Sequence, residues 1–161
     1  MRPRALEWSV ENCTIGRAMA ILGERWTVVV LREVFNGIFR FDDMRVRTGI
    51  PRQVLTNRLG VLVDNGILRR VPYREPGARA RDEYRLTEMG FALYPMFVAL
   101  REWGDRYLAD PGGPPLETVH RGCGAPVHAK LVCEHGHEEI TPRDVVPQPG
   151  PGAIRRAPAE V

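Results

Sequence analysis

Apolar positions along the chain fall into runs of helical period, each closed by a glycine. Ile15, Ala18, Ile21 and Leu22 recur at helical spacing and Gly23 ends the run. Trp26, Val29, Val30, Glu33 and Val34 then line one side of a second helix, stopped by Asn36-Gly37. Phe41-Asp42-Asp43-Met44-Arg45-Val46-Arg47 offers Asp42 or Asp43 as the N-cap of a short helix that ends near Thr48-Gly49. A fourth helix is predicted over 51–65. Pro51 suits its first turn, where a missing N–H costs nothing, and Gly66 is placed to close its far end. At about 100° per residue, Pro51, Leu55, Leu59 and Leu62 share one side, while Gln53, Thr56, Asn57 and Gly60 share the other. A short helix, a glycine-containing turn and an amphipathic helix make a helix-turn-helix.

The pattern next shortens to that of strands. Leu68-Arg69-Arg70-Val71-Pro72-Tyr73 and Asp82-Glu83-Tyr84-Arg85-Leu86 read as a hairpin joined by a basic wing over 74–81. Pro72 has no donor, which a ladder of only two strands accommodates. A last helix starts at Leu86-Thr87 with Thr87 as cap. In it Met89, Leu93, Met96, Leu100, Trp103 and Tyr107 repeat at alternating steps of four and three, a heptad seam. Packing on its own domain would use one stripe, yet Tyr94, Phe97 and Leu108 add apolar surface beside it, which favours a homodimer. Pro95, read as interior to this helix, should kink it at a cost of about 3 kcal/mol. The fold class is thus mainly α (α+β): a winged helix-turn-helix with added N- and C-terminal dimerisation helices and a Pro-rich C-terminal tail.

Composition sharpens the boundaries. At 161 residues and 43% hydrophobic, the chain can bury one core of ordinary size. Nine of its fourteen prolines lie past residue 110, so the tail cannot build a core alone and must dock, bind a metal or stay loose. The division expected is a DNA-binding and dimerisation domain over 1–110, a linker over 111–115 and a tail over 116–161, with 147–161 loose. No signal-peptide pattern follows Met1-Arg2-Pro3-Arg4, three cysteines are an odd number, and the run Val28 to Leu31 is far too short for a membrane span. A reduced, cytoplasmic protein with no membrane partner is expected.

Charge singles out the candidate site. Formal net charge is only +3, but residues 45 to 85 hold ten Arg against four acidic residues, so this window is +6 and the remainder −3. Such an asymmetry marks a polyanion-binding surface or, in the plainer reading, a solvated charged face. The polar side of the fourth helix decides between them, because Asn and Gln bond adenine edges bidentately and Thr bonds a base or packs on a thymine methyl. Gln53, Thr56 and Asn57 are therefore assigned to base edges, Arg52 and Arg58 to phosphate or flanking bases, and Arg74, Arg79 and Arg81 to the wing. Arg58 lies toward the apolar side and alternatively pairs with an acidic group at the helix junction.

Taken together, Cys13, Gly23-x-x-Trp26, Leu31-Arg32-Glu33, Gly37-x-x-Arg40-Phe41, Gly49-Ile50, Leu55-x-x-Arg58-Leu59, Asp64-x-Gly66, Arg69 and Tyr84-x-Leu86-Thr87-x-x-Gly90 resemble the HxlR family of bacterial winged-helix transcriptional regulators. The resemblance runs from residue 13 to about 108. It implies a DNA-binding homodimer held by the first and last helices, acting as repressor or activator, with the recognition helix at 51–65 and the wing at 74–81. Pro51 stands where many members carry a Ser or another capping residue, and the Arg79-x-Arg81 wing is more basic than the frequent Pro-rich version. For Cys13 the resemblance implies, as in some members, a thiol that senses oxidants or electrophiles. A helix N-terminus favours the thiolate, Glu11 opposes it, and the plain alternative is a small buried hydrophobe.

The tail offers His120-x-x-Cys123 and Cys133-x-His135-x-His137, ligand types from which a Cys2His2 zinc site can be drawn. Gly136 occupies the position where a zinc ribbon has its second cysteine, so the alternative is a metal-free tail folded back on the domain. Trp26, Phe41, Trp103 and Tyr107 are either core or the lining of a small-molecule pocket. No phosphate loop, nucleophile elbow or triad is present, and no enzyme is expected. Two rival functions remain: a winged-helix module that binds a protein partner, and a small metal or thiol redox protein using Cys123 and Cys133. The arginine concentration between 45 and 85 argues against both.

Overall fold

A computed structural model describes residues 8–156. It comprises six helices and one hairpin: α1 (Thr14–Leu22), α2 (Arg25–Phe35), α3 (Phe41–Thr48), α4 (Arg52–Asp64), β1 (Leu68–Tyr73), β2 (Arg81–Leu86), α5 (Glu88–Phe91) and α6 (Tyr94–Leu108). Two compact units result. One spans Glu24–Ala129; the other combines the described residues up to Gly23 with those from Lys130 onward. This differs from the 1–110, 111–115 and 116–161 division that composition suggests, and hydrogen bonds explain why. Within the larger unit, Glu102 of α6 accepts from His128 Nδ1 at 2.6 Å and from the Ala129 amide at 3.0 Å, which ties residues 116–129 to α6. In the smaller unit the Ser9 amide donates to the Ile154 carbonyl at 2.8 Å and Asn12 Nδ2 to the Gly152 carbonyl at 2.6 Å. Trp8 and Arg155 form an antiparallel bridge. Gly152, Ile154 and Arg155, in the stretch expected to be loose, are therefore paired with the segment before α1; 157–161 lie outside the described residues.

The core of the larger unit is built where helical period predicts it. Val30, Leu31 and Val34 of α2, Met44 of α3, and Leu55, Leu59 and Leu62 of α4 are buried, joined by Ile50, Ile67, Leu68, Leu86 and Val98. Pro51 does not join them: it is exposed, at the N-cap of α4 with φ −56° and ψ 138°. Gly49 takes the left-handed conformation (φ 68°) that reverses the chain between α3 and α4, a geometry that an L side chain adopts only with strain. Asp42 and Asp43 are not caps. Arg40 takes that place because the backbone enters α3 as an extended segment, leaving both carboxylates in the first turn, where they favour the helix dipole.

That extended entry serves the wing. β1 and β2 pair antiparallel, with Leu68 opposite Leu86 at the root and Tyr73 opposite Arg81 at the tip. Arg40 adds a bridge to Glu83, and the Tyr84 amide donates to the Phe39 carbonyl at 2.8 Å, so β2 is paired on both sides. The hairpin closes one residue earlier than predicted, since Arg81 belongs to β2. Beyond it, Thr87 caps only the short α5: its Oγ1 accepts from the Gly90 amide at 3.1 Å and donates to the Gly66 carbonyl at 2.5 Å. A Cβ at Gly90 would collide with the Ile67 carbonyl, so α5 approaches the α4–β1 turn as closely as glycine permits. The chain breaks at Ala92-Leu93 and restarts as α6 with Pro95 in its first turn. Pro95 thus kinks nothing. It occupies the position where proline costs least, and the single long helix expected is two.

One buried carboxylate ties α2 to α3. Glu33 is fully buried; its Oε1 accepts from Arg32 Nη2 at 2.6 Å and Nε at 2.9 Å, and its Oε2 from Arg47 Nε at 2.7 Å. Burial alone pushes this carboxyl up, but the hydrogen bonds and charges of Arg47 and Arg32 more than offset it and hold the group below its ordinary value. Its contribution to stability is accordingly present above the ordinary carboxylate range and lost as pH falls through the depressed value. Arg47→Ala is expected to lower the unfolding free energy by about 1.5–3 kcal/mol and to move the onset of acid destabilisation to higher pH. Urea unfolding followed from about pH 7 to about pH 3 measures both; an unchanged midpoint and pH profile would remove this role.

Candidate nucleic-acid interface

With Leu55, Leu59 and Leu62 turned into the core, α4 leaves Arg52, Gln53, Thr56 and Asn57 exposed along its opposite side. Gln53 Nε2 donates to Asn57 Oδ1 at 2.9 Å, an i,i+4 pair that orders both amides. Neither the Gln53 carbonyl oxygen nor the Asn57 amide hydrogens are used in that bond. Thr56 Oγ1 donates back to the Arg52 carbonyl at 3.0 Å, presenting its methyl group and remaining lone pairs. The Arg52 guanidinium lies 5.1 Å from the Phe41 ring centroid, which braces it at the start of the helix. Gly60, expected beside these residues, is half-buried, and so is Arg58. Among the described residues Arg58 makes no salt bridge, so the proposed acidic partner at the helix junction is not found.

The wing arginines are in two conditions. Arg79 is exposed at the loop, and Arg74 Nε donates to the Ala78 carbonyl at 3.1 Å, closing the loop on itself. Arg81 is held: its Nη1 bonds Asp42 Oδ2 at 3.0 Å, tying β2 to the first turn of α3. Arg40 makes a second tie, with Nη1 2.6 Å from Glu75 Oε1 and its guanidinium 4.3 Å from the Tyr73 ring centroid. Arg40 lay just outside the arginine-rich window and received no role from charge counting, although Gly37-x-x-Arg40-Phe41 had marked it. Arg45, Arg69 and Arg70 are also exposed and enlarge the basic surface.

Of the seam residues, Met89, Met96, Leu100, Trp103 and Tyr107 are exposed and Leu93 is half-buried; Trp103 and Tyr107 pack ring on ring at 5.8 Å. Cys13 is exposed and is the N-cap of α1. It is not a buried hydrophobe. The tail's histidines and cysteines form two separate pairs: His120 Nδ1 lies 3.3 Å from Cys123 Sγ and Cys133 Sγ lies 3.0 Å from His137 Nδ1, while His135 joins neither. No three His, Cys, Asp or Glu side chains among the described residues converge on a metal-sized site. The first pair belongs to the larger unit and the second to the smaller. At Gly136 the backbone is left-handed (φ 80°) and its amide bonds the Cys133 carbonyl at 2.8 Å, so this turn needs glycine where a ribbon has its second cysteine.

Helix-turn-helix, paired wing and an arginine-rich face define a winged helix-turn-helix DNA-binding protein. The HxlR-like helix-turn-helix family matches residues 21–111, and the chain belongs to that family. An uncharacterized HTH-type transcriptional regulator of Mycobacterium tuberculosis is 47% identical over 142 residues, covering 88% of this chain and 89% of that one. A solved structure described as a candidate transcription factor superposes with a TM-score of 0.76 at 29% identity, over 86% of this chain and 95% of the other. The redox regulator HypR in its reduced form matches with a TM-score of 0.52 at 28% identity, over 57% and 90%. The chain is a DNA-binding transcriptional regulator. No helix among the described residues is long and apolar enough to cross a membrane.

Proposed function

We propose that two copies of the chain bind promoter DNA together, each reading the major groove with Gln53, Thr56 and Asn57 while Arg52, Arg58, Arg74, Arg79 and Arg81 contact phosphate or flanking bases. The observation that carries this reading is the side of α4 opposite Leu55, Leu59 and Leu62, where amide and hydroxyl groups stand exposed and the first turn carries no acidic residue. Backbone contacts position a regulator and base contacts give it sequence preference, so the two groups of residues should separate in experiment. Asn57→Ala is expected to cost about 1–3 kcal/mol on the cognate site and relax specificity, whereas Arg79→Ala weakens all sequences and lowers the salt slope by about one. Fluorescence anisotropy on DNA from upstream of the protein's own gene, against scrambled DNA at the same salt, measures this. Equal losses on both DNAs for both variants would sink the assignment.

The homodimer is supported by apolar side chains left in solvent on two helices: Ile15 and Met19 on α1, and Met96, Leu100, Trp103 and Tyr107 on α6. Such faces are covered in dimers, and a two-fold assembly would present two copies of α4 to successive half-sites. Trp103→Glu places a charge in the seam and should shift the protein to monomer in sedimentation velocity at micromolar concentration. A variant that stays dimeric would place the interface elsewhere.

A thiol-based response through Cys13 is the second reading. Its exposure at the head of α1 leaves the sulfur accessible, and a redox regulator stands among the structural relatives. Oxidation would join Cys13 to its mate in the dimer or cap it with a small thiol, altering the spacing of the two α4 helices. Cys13→Ser is expected to bind DNA normally when reduced and to lose its release by oxidant; full retention of the oxidant response would dismiss this role.

A further inference from the structure

A cavity of about 310 Å³ lies between α2 and α6, lined also by Pro115, Leu116 and Thr118. Trp26, Phe41, Trp103 and Tyr107, read from the sequence as core or as the lining of a pocket, do not line it. Its wall is made by Val29, Phe35, Tyr94, Phe97, Val98 and Leu116. The Phe35 ring packs at 5.1 Å from Tyr94 and 4.9 Å from Phe97, both tilted by about 50°, so three rings already form a surface suited to a fourth. Volume and apolar lining match those of small-molecule sites, which add a few placed polar groups for orientation.

Two arginines line the cavity: Arg32 is committed to Glu33, which leaves Arg101, near Asp105, as the cation with bonding capacity to spare. Arg101 Nε is shut off from solvent and has no hydrogen-bond acceptor; Asp105 Oδ2 stands 3.6 Å away, beyond hydrogen-bonding distance. Buried donors are normally satisfied, and one left open on an apolar wall calls for an acceptor from outside the chain. An anionic acceptor attached to a ring meets both requirements.

We infer that this cavity binds a small aromatic carboxylic acid, its ring against Phe35, Tyr94 and Phe97 and its carboxylate accepting from Arg101. The test is calorimetric titration of the full-length reduced protein, without DNA, using 3-phenylpropanoate and its neutral counterpart 3-phenylpropan-1-ol. The acid should bind at least about tenfold more tightly than the alcohol. Arg101→Gln should remove that preference, and Val98→Phe, which fills the space, should abolish binding of both. If Val98→Phe does not fold, as judged by circular dichroism, Val29→Phe fills the cavity from α2 instead. No heat with the acid at millimolar concentration overturns the inference, as does equal affinity for acid and alcohol. Unchanged acid binding in Arg101→Gln, or in a folded cavity-filling variant, overturns it too. Because no DNA is present, failure here is distinct from failure of the groove-reading assignment.

Discussion

Everything that positions α4 begins with a carboxylate in the wrong solvent. Glu33 sits among Val30, Leu31, Val34 and Met44 with no access to water. A charge there costs several kcal/mol unless hydrogen bonds replace its hydration. Two guanidinium groups make that replacement, one from α2 itself and one from α3, and both are half in solvent, so their own hydration is largely kept. The compensation works only while α3 holds Arg47 within reach of Glu33. Since Gly49 then turns the chain toward α4, that helix inherits its placement from the ion pair as well as from the leucines beneath it.

The order of elements was legible in the sequence because period and punctuation agree almost everywhere. Gly23, Asn36-Gly37, Gly49 and Gly66 stop the helices where the apolar repeat fails, and Leu55, Leu59 and Leu62 identify the buried side of α4 without ambiguity. Ends were less legible. Asp42 and Asp43 look like caps by residue type, but the backbone before them is recruited by β2 through Phe39 and Arg40, a tertiary demand invisible to local pattern. Pro95 misled for a local reason: the apolar repeat from Met89 to Tyr107 continues through the break at Ala92-Leu93, because both residues keep right-handed helical backbone angles. The tail was the least legible part. Its docking rests on single hydrogen bonds such as Glu102 to His128 and Asn12 to Gly152, which carry no periodic signature.

For the candidate interface, residue type identified the exposed amides of α4, and charge counting located the basic region. Counting could not tell which arginines are free. Arg81 is bonded to Asp42, Arg40 to Glu75 and Arg47 to Glu33, whereas Arg79 stands exposed on the wing loop. The pairs Arg81–Asp42 and Arg40–Glu75 lie in solvent and are individually weak, of order 1 kcal/mol or less. Their structural effect comes from position, since each spans from the wing to the entry of α3.

These two exposed pairs also divide the encounter with a duplex in time. An arginine already facing a carboxylate adds little to the field felt several ångströms away, so long-range capture falls to the unpaired cations. Once the duplex is close, a phosphate oxygen can displace Asp42 from Arg81 or Glu75 from Arg40 at small net cost. That exchange would free the two guanidinium groups while the backbone pairing of β2 with Phe39 and Arg40 keeps the wing in place. In the proposed complex Arg79 would thus govern how fast it forms, and the bridged arginines how long it lasts.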